Sequence, residues 1–225
     1  EKELLIKNPV SWNTINLDDL EESREVKGRT GSVTGQLKRP SGRIIAPRKN
    51  WPKMPAAALG FTVETLKDQE YRVMASEDYV EKFYALQAII SSADVAALSM
   101  FNKEHPEVIE GYLLLSDIVR QHSVADAAVM TEVAVYFVEK ALPIGFSWAN
   151  CTFKYDEYPD SRSIHLSLFR HIQFLIRRAS WSTALECAKI LYNLDKRDPL
   201  LVILFIDYIY LQTKNLLLHD EMFEE

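Results

Sequence analysis

The sequence predicts an all-α fold, an α-solenoid or a compact, tetratricopeptide-like antiparallel array of helices, with an extended basic arm at its N-terminal end. Three observations predict it. Three helix patterns follow one another between Phe153 and Tyr210, each behind its own start signal. Only 7 of the 225 residues are glycine, and Gly28, Gly31, Gly35 and Gly42 fall before residue 43, so the remainder is as glycine-poor as a helical protein should be. In residues 24–58, by contrast, Pro40, Pro47, Pro52 and Pro55 are too closely spaced for a helix to run through. The expected division is an extended basic arm or linker over residues 1–58 and a helical, repeat-like domain over residues 59–225. A chain of this length, 48% hydrophobic and 26% charged, can bury one sizeable core or a short solenoid.

Residues 1–23 combine Leu4, Leu5 and Ile6 with an acidic cluster of Asp18, Asp19, Glu21 and Glu22. They read as a short helix or a partner-bound segment, and the cluster as a solvated face or a docking motif. Residues 24–58 cannot bury enough apolar surface to fold alone; they are either a tether or an arm that orders along a polyanion. The helical body starts near Ser76, where Ser76-Glu77-Asp78 leads into Tyr79, Val80, Phe83, Leu86 and Ile90. A second helix runs from Ala93 to Lys103 and stops at His105-Pro106. A third starts at Glu107 with Val108, Tyr112, Leu115 and Val119 on one face, and a fourth runs from about Val124 to Leu142 and ends at Pro143. Turns this short set neighbouring helices antiparallel. No convincing strand pattern is present. Between Gly145 and Tyr158, Phe146, Trp148, Phe153, Tyr155 and Tyr158 crowd one connection, as a plug over the helices or as a binding surface.

The last three helices are the best marked. Asp160 and Ser161 can cap the first, whose Ile164, Leu168, Ile172, Leu175 and Ile176 form one stripe. The second starts near Ser180 and places Trp181, Ala184, Leu185, Ala188, Leu191 and Tyr192 on its inner face. Asp198-Pro199 then offers a cap and a residue already fixed at helical φ for the run Leu200–Leu211, which is apolar on nearly every side and should be central. With Ala184 and Ala188 at close-packing positions and Leu194-Asp195 at its end, the middle helix pair resembles a tetratricopeptide unit, although alanines at this spacing also suit any tight helix crossing.

Enzyme signatures are absent: there is no Gly-rich phosphate loop, His-Glu-x-x-His, Cys-x-x-Cys or Gly-x-Ser-x-Gly, and no cofactor or metal is expected. His165 and His171 share a helix but lie six apart, on different sides, and read as surface or half-buried residues. Cys151 and Cys187 do not make a disulfide framework, which fits a reducing compartment, cytoplasm or nucleus. The apolar run Leu200–Leu211 contains Asp207 and is too short to span a bilayer, so no membrane partner is expected; the first residues lack the apolar core of a signal peptide.

The net charge of −6 conceals an asymmetry. Between Arg24 and Lys53 nine basic residues face Glu25 alone, a local excess of +8 that leaves −14 on the rest of the chain. An acidic body is repelled by a polyanion unless a separate cationic element leads the contact. Arg39, Arg43, Arg48, Lys49 and Lys53 are therefore the candidate RNA-binding residues. Trp51 can stack on a base or, with Pro52, anchor the arm to the helices.

Several motifs in order also carry a family resemblance. They are Tyr155-Asp156, Pro159, Arg162-Ser163, Leu168-Phe169, Phe174-Leu175, Arg178, Thr183-Ala184-Leu185-Glu186, Lys189, Leu194-Asp195 and Asp198-Pro199-Leu200. Upstream, His105-Pro106, Leu113-Leu114-Leu115-Ser116-Asp117, the run Ala134–Leu142 and Asn50-Trp51-Pro52 with Gly60 continue the pattern, so that it covers about residues 45–212. This set resembles the transcription factor 25 family, whose fungal member is ribosome quality control complex subunit 1. The sequence departs from that pattern at Ala179-Ser180-Trp181-Ser182 and at Pro143-Ile144-Gly145. The resemblance implies a non-catalytic subunit, cytoplasmic with the nucleus as a second location. Its implied partners are the large ribosomal subunit with its ribosomal RNA, the E3 ubiquitin ligase listerin, ubiquitin and the valosin-containing-protein segregase. The implied role is degradative ubiquitination and extraction of stalled nascent chains. A nuclear transcriptional repressor and a generic peptide-binding helical scaffold are the alternatives.

Overall fold

The computed structural model describes residues 43–213, apart from residues 68, 144, 145 and 150. A hairpin near its start, after a 3-10 turn at Ala56–Ala58, corrects the all-helical expectation. Phe61–Thr65 (β1) and Tyr71–Ala75 (β2) pair antiparallel, with Phe61 opposite Ala75 and Val63 opposite Val73. Phe61 and Val73 are buried on the inner face, while Glu64 and Arg72 form a cross-strand ion pair of 3.0 Å on the outer face. Each strand has only five residues, too short for its alternation to stand out. Tertiary contacts complete it. The outer edge of β2 is closed from far along the chain: Tyr71 N donates to Thr152 O at 2.8 Å and Val73 N to Ser161 Oγ at 3.1 Å.

Seven α-helices follow among the described residues: α1 Glu77–Ser92, α2 Val95–Glu104, α3 Ile109–Val119, α4 Val124–Ala141, α5 Arg162–Arg177, α6 Trp181–Leu194 and α7 Ile203–Thr213. The predicted start at Ser76 is a true cap, its Oγ accepting from Tyr79 N at 3.2 Å. Ala93, in the left-handed region at φ 53°, ends α1, and Asp94 caps α2 through the amides of Ala96 and Ala97. Where α3 crosses α2, Gly111 leaves room for the buried Asn102 side chain: a Cβ there would lie 1.9 Å from Asn102 Oδ1 and would force that amide to move. Helices consecutive from α3 to α7 touch one another. The main core draws on residues from Ile45 to Tyr210 and takes in the inner face of the hairpin, and a small second cluster joins Ala127, Ala128 and Phe174.

The aromatic connection behaves as a plug. Trp148, Cys151 and Phe153 are buried, Phe153 stacks on Tyr71 at 5.5 Å, and Phe153 N donates to Leu194 O at 2.8 Å. This burial of a thiol among rings pushes Cys151 up to about 12, so it stays protonated and unreactive.

Three further expectations need correction. Ser161 does not cap α5; Pro159–Ser161 is a 3-10 turn and the Ser161 hydroxyl is used by β2 instead. His165 and His171 are buried rather than at the surface, because α5 is covered by α4 on one side and α6 on another, beyond its predicted stripe. The third, α7, is not central. It starts only at Ile203, and although Ile206, Ile209 and Tyr210 are buried, Leu204, Tyr208 and Leu211 are exposed. Asp198 still caps it from a distance, accepting from Val202 N at 2.7 Å and Ile203 N at 3.0 Å, after the turn in which Leu201 N bonds Asp198 O.

Candidate nucleic-acid interface

Two carboxylates seven residues apart on α4, Glu132 and Glu139, organise the basic segment. A spacing of two helical turns puts both on one side, about 10 Å apart along the axis. Residues 43–51 lie over that side as a strap. At one end Ile44 N and Ile45 N donate to the two oxygens of Glu139, at 2.5 and 3.2 Å. Toward the other, Arg48 reaches Glu132 at 2.5 Å, and Trp51 inserts its ring against Tyr136, which lies between the carboxylates, at 5.5 Å. Trp51 is thus the anchor of the strap, buried and unable to stack on a base. Burial pushes the Glu139 carboxyl up, and the amides of Ile44 and Ile45, the Trp148 side chain and nearby Arg43 oppose this.

The five candidate residues do not behave alike. Arg39 lies outside the described residues. Arg43 and Lys49 on the strap and Lys53 just after it are exposed, and none of the three forms an ion pair among the described residues. Arg48 is half-buried, tied to Glu132 and set 5.6 Å from the Trp51 ring, so its charge is largely spent inside the protein. Two cations that the sequence reading had not placed here join the surface. Arg178, just beyond α5, reaches the other oxygen of Glu132 at 3.2 Å while remaining exposed, and Lys140 shares a pocket of about 180 Å³ with Arg43, Pro47, Tyr136 and Glu139. Their sequence signal was the carboxylate pair itself: two acids at this spacing on a mostly buried helix require donors to pair with.

Among the described residues no cluster of His, Cys, Asp and Glu could hold a metal ion, and no helix is long and apolar enough to cross a membrane. Fold and surface together define a helix-rich protein whose polar features serve to hold segments together and to present charge. Residues 71–225 match the family described as "Transcriptional repressor TCF25", and the chain belongs to that family. It is 27% identical over 187 residues to the human "Ribosome quality control complex subunit TCF25", covering 81% of this chain and 28% of the relative. The Dictyostelium discoideum protein of the same name is 26% identical over 252 residues, covering 90% and 34%. "Ribosome quality control complex subunit 1" of Schizosaccharomyces pombe is 25% identical over 184 residues, covering 79% and 27%. The chain therefore spans about a third or less of the curated relatives it matches. No solved structure matches it.

Proposed function

We propose that this chain is part of a non-catalytic subunit of a ribosome quality control complex. It acts with the E3 ligase listerin on large ribosomal subunits that carry stalled nascent chains, and promotes their degradative ubiquitination and their extraction by the valosin-containing-protein segregase. The observation that carries this reading is the match of most of the chain to relatives named as subunits of that complex, in organisms as distant as human and fission yeast. The strap supplies a route to ribosomal RNA through Arg43, Lys49 and Lys53, with Arg39 preceding them and Lys140 and Arg178 alongside. A cytoplasmic location follows from the same reading. Sucrose-gradient sedimentation of a tagged chain tests it: co-migration with large subunits and listerin is the expected result.

The family's description favours a second reading, a nuclear repressor. Recovery in a salt-resistant chromatin fraction free of ribosomal material would establish that reading and exclude the first.

A further inference from the structure

A second surface feature lies away from the strap. It is a groove of about 420 Å³ between the inner face of the hairpin, α1 and the start of α5. Its apolar wall includes Phe61, Val73, Phe83 and Leu166, and its outer lip is formed by Val80 and Tyr84, of which Tyr84 is 68% exposed. A tyrosine ring left in water at the edge of an apolar groove is the arrangement of an unfilled contact site rather than of a core.

The charges around it are one-sided. Glu77 and Glu81 precede Val80 and Tyr84 by three residues each, so they flank the lip on the same face of α1, and both are exposed. Asp160 is exposed on the opposite wall. None of the three forms an ion pair among the described residues, whereas the neighbouring Asp78 is paired with Lys82. Inside the groove the Glu110 carboxylate is held by hydroxyls, accepting from Tyr79 Oη at 2.6 Å and from Ser163 Oγ, without a cation. Arg162 is the one cation of the lining, and its guanidinium is engaged by Tyr155, donating to Tyr155 O at 3.1 Å and lying 5.1 Å from the Tyr155 ring.

We infer that this groove docks a short apolar peptide segment of a partner protein, flanked by lysine or arginine. The apolar wall takes the anchoring side chains, and Glu77, Glu81 and Asp160 receive the flanking cations. The volume falls within the roughly 300–1,000 Å³ of small binding clefts, which suits a few anchor residues rather than a broad domain face. Glu77, Glu81 and Asp160 outnumber Arg162 at this rim and disfavour nucleic acid, so this site is separate in chemistry and position from the strap.

The test is to pan a displayed library of random 16-residue peptides on the full chain and to measure the enriched peptides by fluorescence anisotropy. Enriched sequences are expected to combine apolar anchors with lysine or arginine, and to bind at least tenfold more weakly to Tyr84→Ala and to Glu77→Lys/Glu81→Lys. Each variant changes only exposed side chains, and an unchanged far-UV circular dichroism spectrum shows that it folds. Arg43→Gln/Lys49→Gln, which alters only the strap, should bind the peptides as the parent does. No enrichment, enriched peptides without basic residues, or binding indifferent to Tyr84 and the glutamates overturns the inference. So does a concentration-dependent dimer abolished by Tyr84→Ala, which would make a second copy the occupant. The result is independent of ribosome sedimentation, so failure here leaves the proposed function standing.

Discussion

At the scale of single residues, α6 offers a sharp contrast. Leu191 is 2% exposed among core residues, while Leu185 is only partly buried at the margin of the same face. Leu191→Ala should cost about 2–5 kcal/mol as a cavity the surrounding helices cannot close, and Leu185→Ala clearly less. Equal losses in urea-unfolding midpoints would show that the two positions are equally enclosed. Asp198 has a different task. Its carboxylate accepts the first two amides leading into α7, so Asp198→Ala should lose about 1 kcal/mol. Asp198→Asn, which keeps one acceptor oxygen, should retain most of that stability, and a fully stable alanine variant would show that the cap is idle.

At the scale of elements, the strap divides its cations between folding and binding. Glu132 is 7% exposed and is paired with both Arg48 and Arg178. Arg48→Gln should therefore destabilise the chain by about 1–2 kcal/mol, with Arg178 limiting the damage. Arg43, Lys49 and Lys53 form no such ion pair among the described residues, although Arg43 lies near the buried Glu139. Replacing all three by Gln should leave thermal unfolding nearly unchanged and flatten the log-log salt dependence of binding to large-subunit RNA by about 2 to 3, the counterions of three phosphate contacts. An identical slope for parent and variant would mean that the strap is purely structural.

At the scale of the whole molecule, buried histidines set the response to acid. Burial, with Arg178 adding to it, pushes His171 down to about 4, and burial also lowers His165 despite its contact with the Ser161 carbonyl. Below the ordinary histidine value near 6.5 the unfolded chain takes up protons that the folded chain refuses. Stability therefore falls as pH drops from about 6.5 to about 4, and for His171 alone the fall is on the order of 3 kcal/mol. Asp195 adds a later loss. Burial raises its carboxyl, but the Arg197 side chain and the amides of Tyr155 and Arg197 outweigh burial and hold it at about 2, so its contribution disappears between about 4 and 2. Glu139 works in the opposite sense, since its raised carboxyl is relieved of a burial penalty as it protonates. Urea midpoints measured from pH 7.5 to 4 should show the first fall, and His171→Gln should flatten it. An unaltered profile would place the titrating group elsewhere.

The sequence by itself determined the helices from α1 to α6, their limits to within a few residues, and the inner faces of α5 and α6. These follow from local rules, such as the 3.6-residue spacing of apolar side chains and caps like Ser76 that bond amides three residues away. It also identified the concentration of positive charge, which is a property of composition. What only the tertiary structure decided depends on partners distant in the chain. The hairpin is completed by Thr152 and Ser161, the strap is held by Glu132 and Glu139 some 84 to 95 residues away, and the histidines of α5 are enclosed from two sides. The exposure of α7 has the same origin: an apolar run on every side of a helix reads as central, but burial is fixed by which neighbours arrive, and here they cover one face.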